Sequence, residues 1–155
     1  MKLPLMVADV RVAPIVQRES PLTAGASIAG LRILVVDDDP SAIELIREVL
    51  LQAGCDVRGS RTSDDEVLRT LAEWRPDVLI SDIEMPGQDG YTLIRKVRAL
   101  HPQKGGKTPA IPLTAFSRAE DRIRSLRAGF NVQVSKPVDP GELQAIIASL
   151  AGRIA

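Results

Sequence analysis

Short apolar runs alternate along the chain with stretches whose apolar residues fall at helical spacing. Ile33-Leu34-Val35-Val36 is continuous in its hydrophobicity, as a central strand covered on both faces should be. Asp39-Pro40 then supplies an N-cap and a first-turn proline, and Ile43, Leu45, Ile46, Val49 and Leu50 mark the expected buried face of a helix ending at Gly54. A short strand is expected over residues 56–60. Ser63-Asp64-Asp65-Glu66 has capping-box spacing and opens a helix that carries Val67, Leu68 and Leu71 and stops before Pro76. Val78-Leu79-Ile80-Ser81 gives the third strand, followed by a helix over residues 90–100 that buries Leu93, Ile94 and Val97. Residues 101–109 read as a polar loop.

The second half repeats the alternation. Ile111-Pro112-Leu113 leads into Thr114-Ala115, and Pro112 predicts irregular pairing because it lacks a ladder donor. A charged helix over residues 119–128 has Ile123 and Leu126 as its main apolar positions, with Gly129 at its C-terminal cap. Val132-Gln133-Val134-Ser135 is the fifth strand. Asp139-Pro140 repeats the cap-plus-proline signal before a last helix with Leu143, Ile146, Ile147 and Leu150. Strand and helix in strict alternation predict an α/β fold with a parallel sheet.

In such a sheet all the strand C-termini meet at one edge, where ligands bind. That edge would gather Asp37-Asp38-Asp39, then Asp82, then Thr114, then Lys136, each directly after an apolar run. An acidic cluster, a central aspartate, a hydroxyl and an ammonium would share one crevice. Taken singly, Asp39 is an N-cap, Asp89-Gly90 is turn chemistry, and an isolated lysine is usually solvated surface. Their arrival together at successive strand ends makes a site.

The ordered set VVDDD, SDIEMPGQDGY, LTA and SKP resembles the receiver domain of two-component response regulators from about residue 31 onward. The resemblance implies a doubly wound, flavodoxin-like fold with strand order 2-1-3-4-5 and five helices. It matches Asp82 to the phosphoacceptor, Thr114 to the hydroxyl residue and Lys136 to the lysine. It implies Mg²⁺ held by Asp38 and Asp82, by Asp37 through water, and by the backbone carbonyl of Glu84. An oxygen-only, partly hydrated set of this kind suits that ion. The implied function is a phosphoacceptor in a phosphorelay, switching the surface formed by the fourth helix, fifth strand and fifth helix. The implied partner is a histidine kinase or a histidine phosphotransfer protein. The Lys136-Pro137 peptide is expected to be cis, as in similar receivers.

Residues 31–155 are accordingly expected to form the receiver, and residues 1–30, with Pro4, Pro14, Pro21 and the small-residue stretch Thr23-Ala24-Gly25-Ala26-Ser27, a linker or extension. Lys2-Leu3-Pro4-Leu5 resembles the end of the last strand of a histidine-kinase ATP-binding domain. An attached kinase core, as in hybrid kinases, is therefore a second expected partner. Gln133 departs from the family, which often has an aromatic three positions before the lysine. A monomer or weak dimer is expected, because that face lacks a bulky, rigid contact. Glu84 and Phe116 occupy positions that tune access of hydrolytic water in the family.

Two rival readings remain at this point. A degenerate receiver would act only as an interaction module. A phosphohydrolase of the haloacid-dehalogenase class would use Asp37 and Asp39, although Ser41 stands where that class needs Thr or Val. A dinucleotide enzyme is disfavoured, since no Gly-x-Gly-x-x-Gly follows the first strand.

Composition narrows the remaining classes. At 155 residues the chain can bury one substantial core but not a receiver plus a full output domain. Twenty basic residues balance twenty acidic ones, and with one Trp, one Tyr and two Phe neither charge nor stacking favours nucleic acid. The single Cys55 fits a reducing, cytoplasmic setting and a buried structural role. His101, before Pro102, reads as an exposed loop residue. Neither a signal peptide nor a membrane span is expected.

Overall fold

The computed structural model describes residues 27–61, 64–84, 90–115 and 118–152. The expectations for residues 1–26, for Ser63, for the turn at residues 85–89 and for Phe116 lie outside the described residues. The elements, in order, are β1 (Arg32–Val36), α1 (Pro40–Gln52), β2 (Asp56–Ser60), α2 (Asp64–Trp74), β3 (Val78–Asp82), α3 (Gly90–Arg98), a 3₁₀ turn (Pro102–Lys104), β4 (Ala110–Thr114), α4 (Ala119–Ala128), β5 (Val134–Ser135) and α5 (Pro140–Leu150). The strands form one parallel sheet in the order β2-β1-β3-β4-β5, which is the expected 2-1-3-4-5 arrangement.

Strand side chains alternate between faces, so the sheet has two cores. Ile33, Val35, Val78, Ile80, Ile111 and Leu113 pack with Ile43, Ile46 and Leu50 of α1 and Leu143 and Ile147 of α5. On the other face Leu34, Val36 and Leu79 meet Val67 and Leu71 of α2 and Leu93, Ile94 and Val97 of α3. Packing begins ahead of β1, because Ile28 is buried in the first core and the Gly30 amide donates to the Gly54 carbonyl. Cys55 is buried beside it, with Sγ 3.4 Å from the Ile28 carbonyl oxygen. His101 is exposed, and its Nδ1 accepts from the Gln103 amide at the start of the 3₁₀ turn. The Lys136-Pro137 peptide is cis, as expected.

Three helix positions differ from the pattern reading. Leu45 is 68% exposed, whereas Ile43, Ile46 and Leu50 are buried. At roughly 100° per residue, Leu45 lies about 200° round the helix from Ile43 and therefore faces away from the sheet. In α4 the same offset applies: Ser125 and Ala128 face inward, while Ile123 and Leu126 are 49% and 56% exposed. Small residues bring this helix close to its neighbours, leaving the larger apolar pair outside.

The fifth strand is also shorter than expected, with Val132 exposed and only Leu113↔Val134 and Thr114↔Ser135 paired. Pro112 accounts for part of this. On the β3 side it sits in unbroken register opposite Ser81, with Ile83 donating to Leu113 and Leu79 to Pro109. Its missing N–H therefore falls on the β5 side, where the ladder starts only after it. Below that gap Asn131 supplies the pairing, its amide donating to the Ala110 carbonyl and its Oδ1 accepting from the Ala110 amide at 2.8 Å each.

Arg98 holds the same end of the sheet together. Its guanidinium donates to the carbonyls of Gly129 (2.8 Å), Gly106 (3.0 Å) and Thr108 (2.7 Å) and to Asn131 Oδ1 (3.3 Å). Burial pulls its pKa down, but a guanidinium keeps its charge. Gly129 caps α4, so the cation also sits favourably at that helix's C-terminus. Arg98→Ala should lower the unfolding free energy by about 2–4 kcal/mol, because several partly buried acceptors lose a charged donor at once. Urea midpoints with unchanged slope would show it, and a shift below about 0.5 kcal/mol would mean that water replaces the guanidinium freely.

Candidate active site

The carboxyl ends of β1, β3, β4 and β5 bring Asp37, Asp38, Asp82, Thr114 and Lys136 to one edge of the sheet. Candidate ligand oxygens of Asp37, Asp38 and Asp82 all lie within 4.8 Å of one another. Lys136 Nζ donates to Asp82 Oδ1 at 3.0 Å. Asp37, Asp82 and Thr114 are buried, with 2%, 3% and 2% of their surfaces exposed, so their polar atoms need partners within the site.

Local backbone chemistry aims each group. The Asp37 amide donates to the Ser60 carbonyl, which prolongs the β1–β2 ladder past the end of the strand. Asp37 Oδ1 turns back to accept from the Asp39 amide at 2.9 Å, while its Oδ2 is buried without a hydrogen-bond partner. Asp39 leaves the cluster: its carboxylate accepts from the Ser41 amide at 2.9 Å and caps α1. The Asp37/Asp39 pair required by a phosphohydrolase reading is thus split between the site and a helix cap. At β3 the Glu84 amide approaches Asp82 Oδ1 at 3.3 Å. Gly90 opens α3 against the Asp82 backbone, where an added Cβ would stand 2.6 Å from the Asp82 carbonyl oxygen; only glycine permits that approach.

The Glu84 carboxylate holds two contacts that the sequence did not announce. Thr114 Oγ1 donates to Glu84 Oε2 at 2.6 Å, and the Ala115 amide donates to Glu84 Oε1 at 3.3 Å. The spacing Asp-x-Glu was visible in the sequence, but only the register of β3 beside β4, with Asp82 opposite Leu113, puts the glutamate within reach of the hydroxyl. Gln133 is half-buried immediately before the short β5.

The electrostatics follow from crowding acids in a crevice that buries Asp37 and Asp82. Burial, with the Asp82 charge adding to it, pushes Asp37 up to about 6 against the pull of the Asp39 amide. Asp82 is also raised, by burial first and by the Glu84 charge, although its bond to Lys136 opposes the rise. Burial disfavours the Lys136 ammonium, but the Asp82 hydrogen bond and the charges of Asp82, Asp37 and Glu84 outweigh it and raise its pKa.

An uncompensated excess of oxygen anions around a buried, partnerless carboxylate oxygen fits a hard divalent cation. A family model described as the response regulator receiver domain matches residues 33–148. The chain belongs to the response regulator receiver family. This receiver is 45% identical over 121 residues to an uncharacterized 14.6 kDa protein from Leptolyngbya boryana, covering 78% of this chain and 90% of that protein. It is 34% identical to hybrid signal transduction histidine kinase D of Dictyostelium discoideum, covering 79% of this chain but 8% of that protein. The receiver domain of the sensor histidine kinase PA1611 from Pseudomonas aeruginosa, solved with magnesium in its active-site cleft, superimposes with a TM-score of 0.70 at 33% identity, covering 80% of this chain and 99% of that one. The receiver spans about half the length of several other curated relatives that it matches.

Among the described residues no helix is long and apolar enough to cross a membrane.

Proposed function

We propose that this receiver takes a phosphoryl group onto Asp82 from a phosphohistidine of a histidine kinase or a histidine phosphotransfer protein. The observation that carries the reading is the buried Asp82 carboxylate, paired with Lys136 at 3.0 Å inside the Asp37–Asp38–Asp82 cluster. An Asp82 oxygen attacks phosphorus and forms an acyl phosphate, while the P–N bond breaks and the imidazole leaves with its electron pair. Hydrolysis reverses the loading, with water attacking phosphorus and the carboxylate departing.

Asp38, Asp82 and the Glu84 carbonyl would hold Mg²⁺ directly, with Asp37 acting through water. Bound there, the ion neutralises charge on the transferring oxygens and orients them. Lys136 holds the nucleophile in place before transfer and afterwards donates to a phosphoryl oxygen. Thr114 donates to another, and the new bond draws the end of β4 inward. The outcome is read on the surface of α4, β5 and α5, where Ile123, Leu126 and Val132 lie exposed. With Gln133 in place of a ring, that surface is expected to give a monomer or weak dimer.

Residues 31–155 serve as the receiver in this scheme, extended by residues 28–30, which pack on its core, with the residues before them as a linker or extension and the cytoplasm as its compartment. Likeness to a hybrid histidine kinase supports an attached kinase core as a source of phosphoryl groups.

The test is labelling of the whole chain by a small phosphodonor, with and without Mg²⁺, followed by peptide mapping. A Mg²⁺-dependent, hydroxylamine-sensitive label on Asp82 is expected. Label on another residue would move the acceptor away from Asp82, and no label would leave the interaction-module reading in its place.

A further inference from the structure

We propose that the Glu84 side chain is an internal competitor for the phosphoryl group, holding in the resting receiver the same donors that the loaded Asp82 needs. The inference rests on the phosphoacceptor reading and adds a positioning residue to it. Glu84 is anchored beside the nucleophile through its amide, 3.3 Å from Asp82 Oδ1, and its carboxylate reaches across to the end of β4. One oxygen takes the Thr114 hydroxyl at 2.6 Å and the other the Ala115 amide at 3.3 Å. Two donors from adjacent residues thus grip one anion next to Asp82. A hydroxyl has a single hydrogen to donate. Thr114 can point that hydrogen at the Glu84 carboxylate or at a phosphoryl oxygen, not at both.

Loading Asp82 therefore has to displace Glu84. Repulsion between the phosphoryl oxygens and the carboxylate assists the release, and Thr114 then turns to the new acceptor. The device makes two discrete states of the β4 end: hydroxyl on Glu84, or hydroxyl on the phosphoryl group. Affinity for any phosphoryl mimic is reduced by the fraction of molecules in which the donors are occupied. Loss of the competing carboxylate should accordingly tighten binding, and the gain should depend on Thr114.

Beryllofluoride with Mg²⁺ is the probe, its affinity measured by calorimetry on the full chain carrying Glu84→Ala, Glu84→Gln, Thr114→Ala and the Glu84→Ala/Thr114→Ala pair. Glu84→Ala should tighten binding by about tenfold, the usual scale for one charged hydrogen bond removed from the resting state. Glu84→Gln, which keeps an acceptor but no charge, should fall between it and the parent. In the Thr114→Ala background the gain from Glu84→Ala should shrink to less than about threefold, a coupling that marks contact rather than general charge. In the metal-free, unliganded protein, Glu84→Gln should also shift the Ala115 amide resonance.

Equal gains from Glu84→Ala and Glu84→Gln, undiminished by Thr114→Ala, would overturn the competition in favour of plain charge repulsion. So would an unchanged affinity or an unmoved Ala115 resonance. Failure of every variant, the parent included, to bind beryllofluoride would overturn the phosphoacceptor reading and the competition with it.

Discussion

Asp82→Asn should reduce Mg²⁺-dependent labelling by a small phosphodonor to background, a loss of at least about 1,000-fold. The amide oxygen is a poor nucleophile, and it carries no charge toward a cation. The fold, by contrast, should keep its stability. The amide oxygen can still accept from Lys136, now 3.0 Å from Asp82 Oδ1, and from the Glu84 amide. Burial has raised the Asp82 pKa, which means that folding disfavours its charged form, so a neutral side chain removes a cost rather than a support. Labelling and thermal unfolding measured on the same preparation separate the two effects. An Asp82→Asn protein that labels as well as the parent would move the nucleophile elsewhere in the cluster, and one that unfolds would make the loss uninformative about chemistry.

The strand-end chemistry was legible in the sequence because it depends on local order alone. An apolar run followed by an acid, a hydroxyl or a lysine states which residue sits at a strand's C-terminus, and a parallel sheet brings those ends together. What sequence pattern could not supply was lateral information. Leu45, Ile123 and Leu126 have the hydrophobicity of core residues, yet the sheet lies on the other side of their helices, and Ser125 and Ala128 make the contact instead. The same limit hid Arg98. A basic residue in the last turn of a helix reads as solvated, and its acceptors at Gly106, Thr108, Gly129 and Asn131 become neighbours only when α3, β4 and the end of α4 are placed together. The Glu84 side-chain contact escaped for a related reason, since its hydroxyl partner lies 30 residues away on the adjacent strand. Pro112 was read correctly as a disturbance, but which of its two neighbours would lose the ladder depended on the direction in which its nitrogen points.

Asp37→Asn should have opposite effects on stability and on metal binding. In the metal-free protein Asp37 is pushed from 3.8 up to about 6 by burial and by the charge of Asp82. A carboxyl raised in the folded state binds its proton more tightly there than in the unfolded chain. Stability from this group is therefore greatest below about pH 4, is lost as pH rises toward 6, and stays reduced at neutral pH. The full displacement corresponds to about 3 kcal/mol, and water at the open side of the crevice screens it to about 1–2 kcal/mol. Asp37→Asn keeps an oxygen for the Asp39 amide and removes the charge, so in EDTA at pH 7 it should be more stable than the parent by about that amount, with a flatter pH profile between 4 and 6. Added Mg²⁺ should then stabilise the parent, since a ligand bound only by the folded state adds to its stability, and should leave the variant nearly unchanged. Because the metal competes with the Asp37 proton, Mg²⁺ affinity of the parent should fall as pH drops below about 6. Urea titrations at pH 5 and pH 7, each with EDTA and with Mg²⁺, test all of this at once. A variant less stable than the parent in EDTA would show that the Asp37 charge is supported by its surroundings, and equal stabilisation of both proteins by Mg²⁺ would remove Asp37 from the metal site.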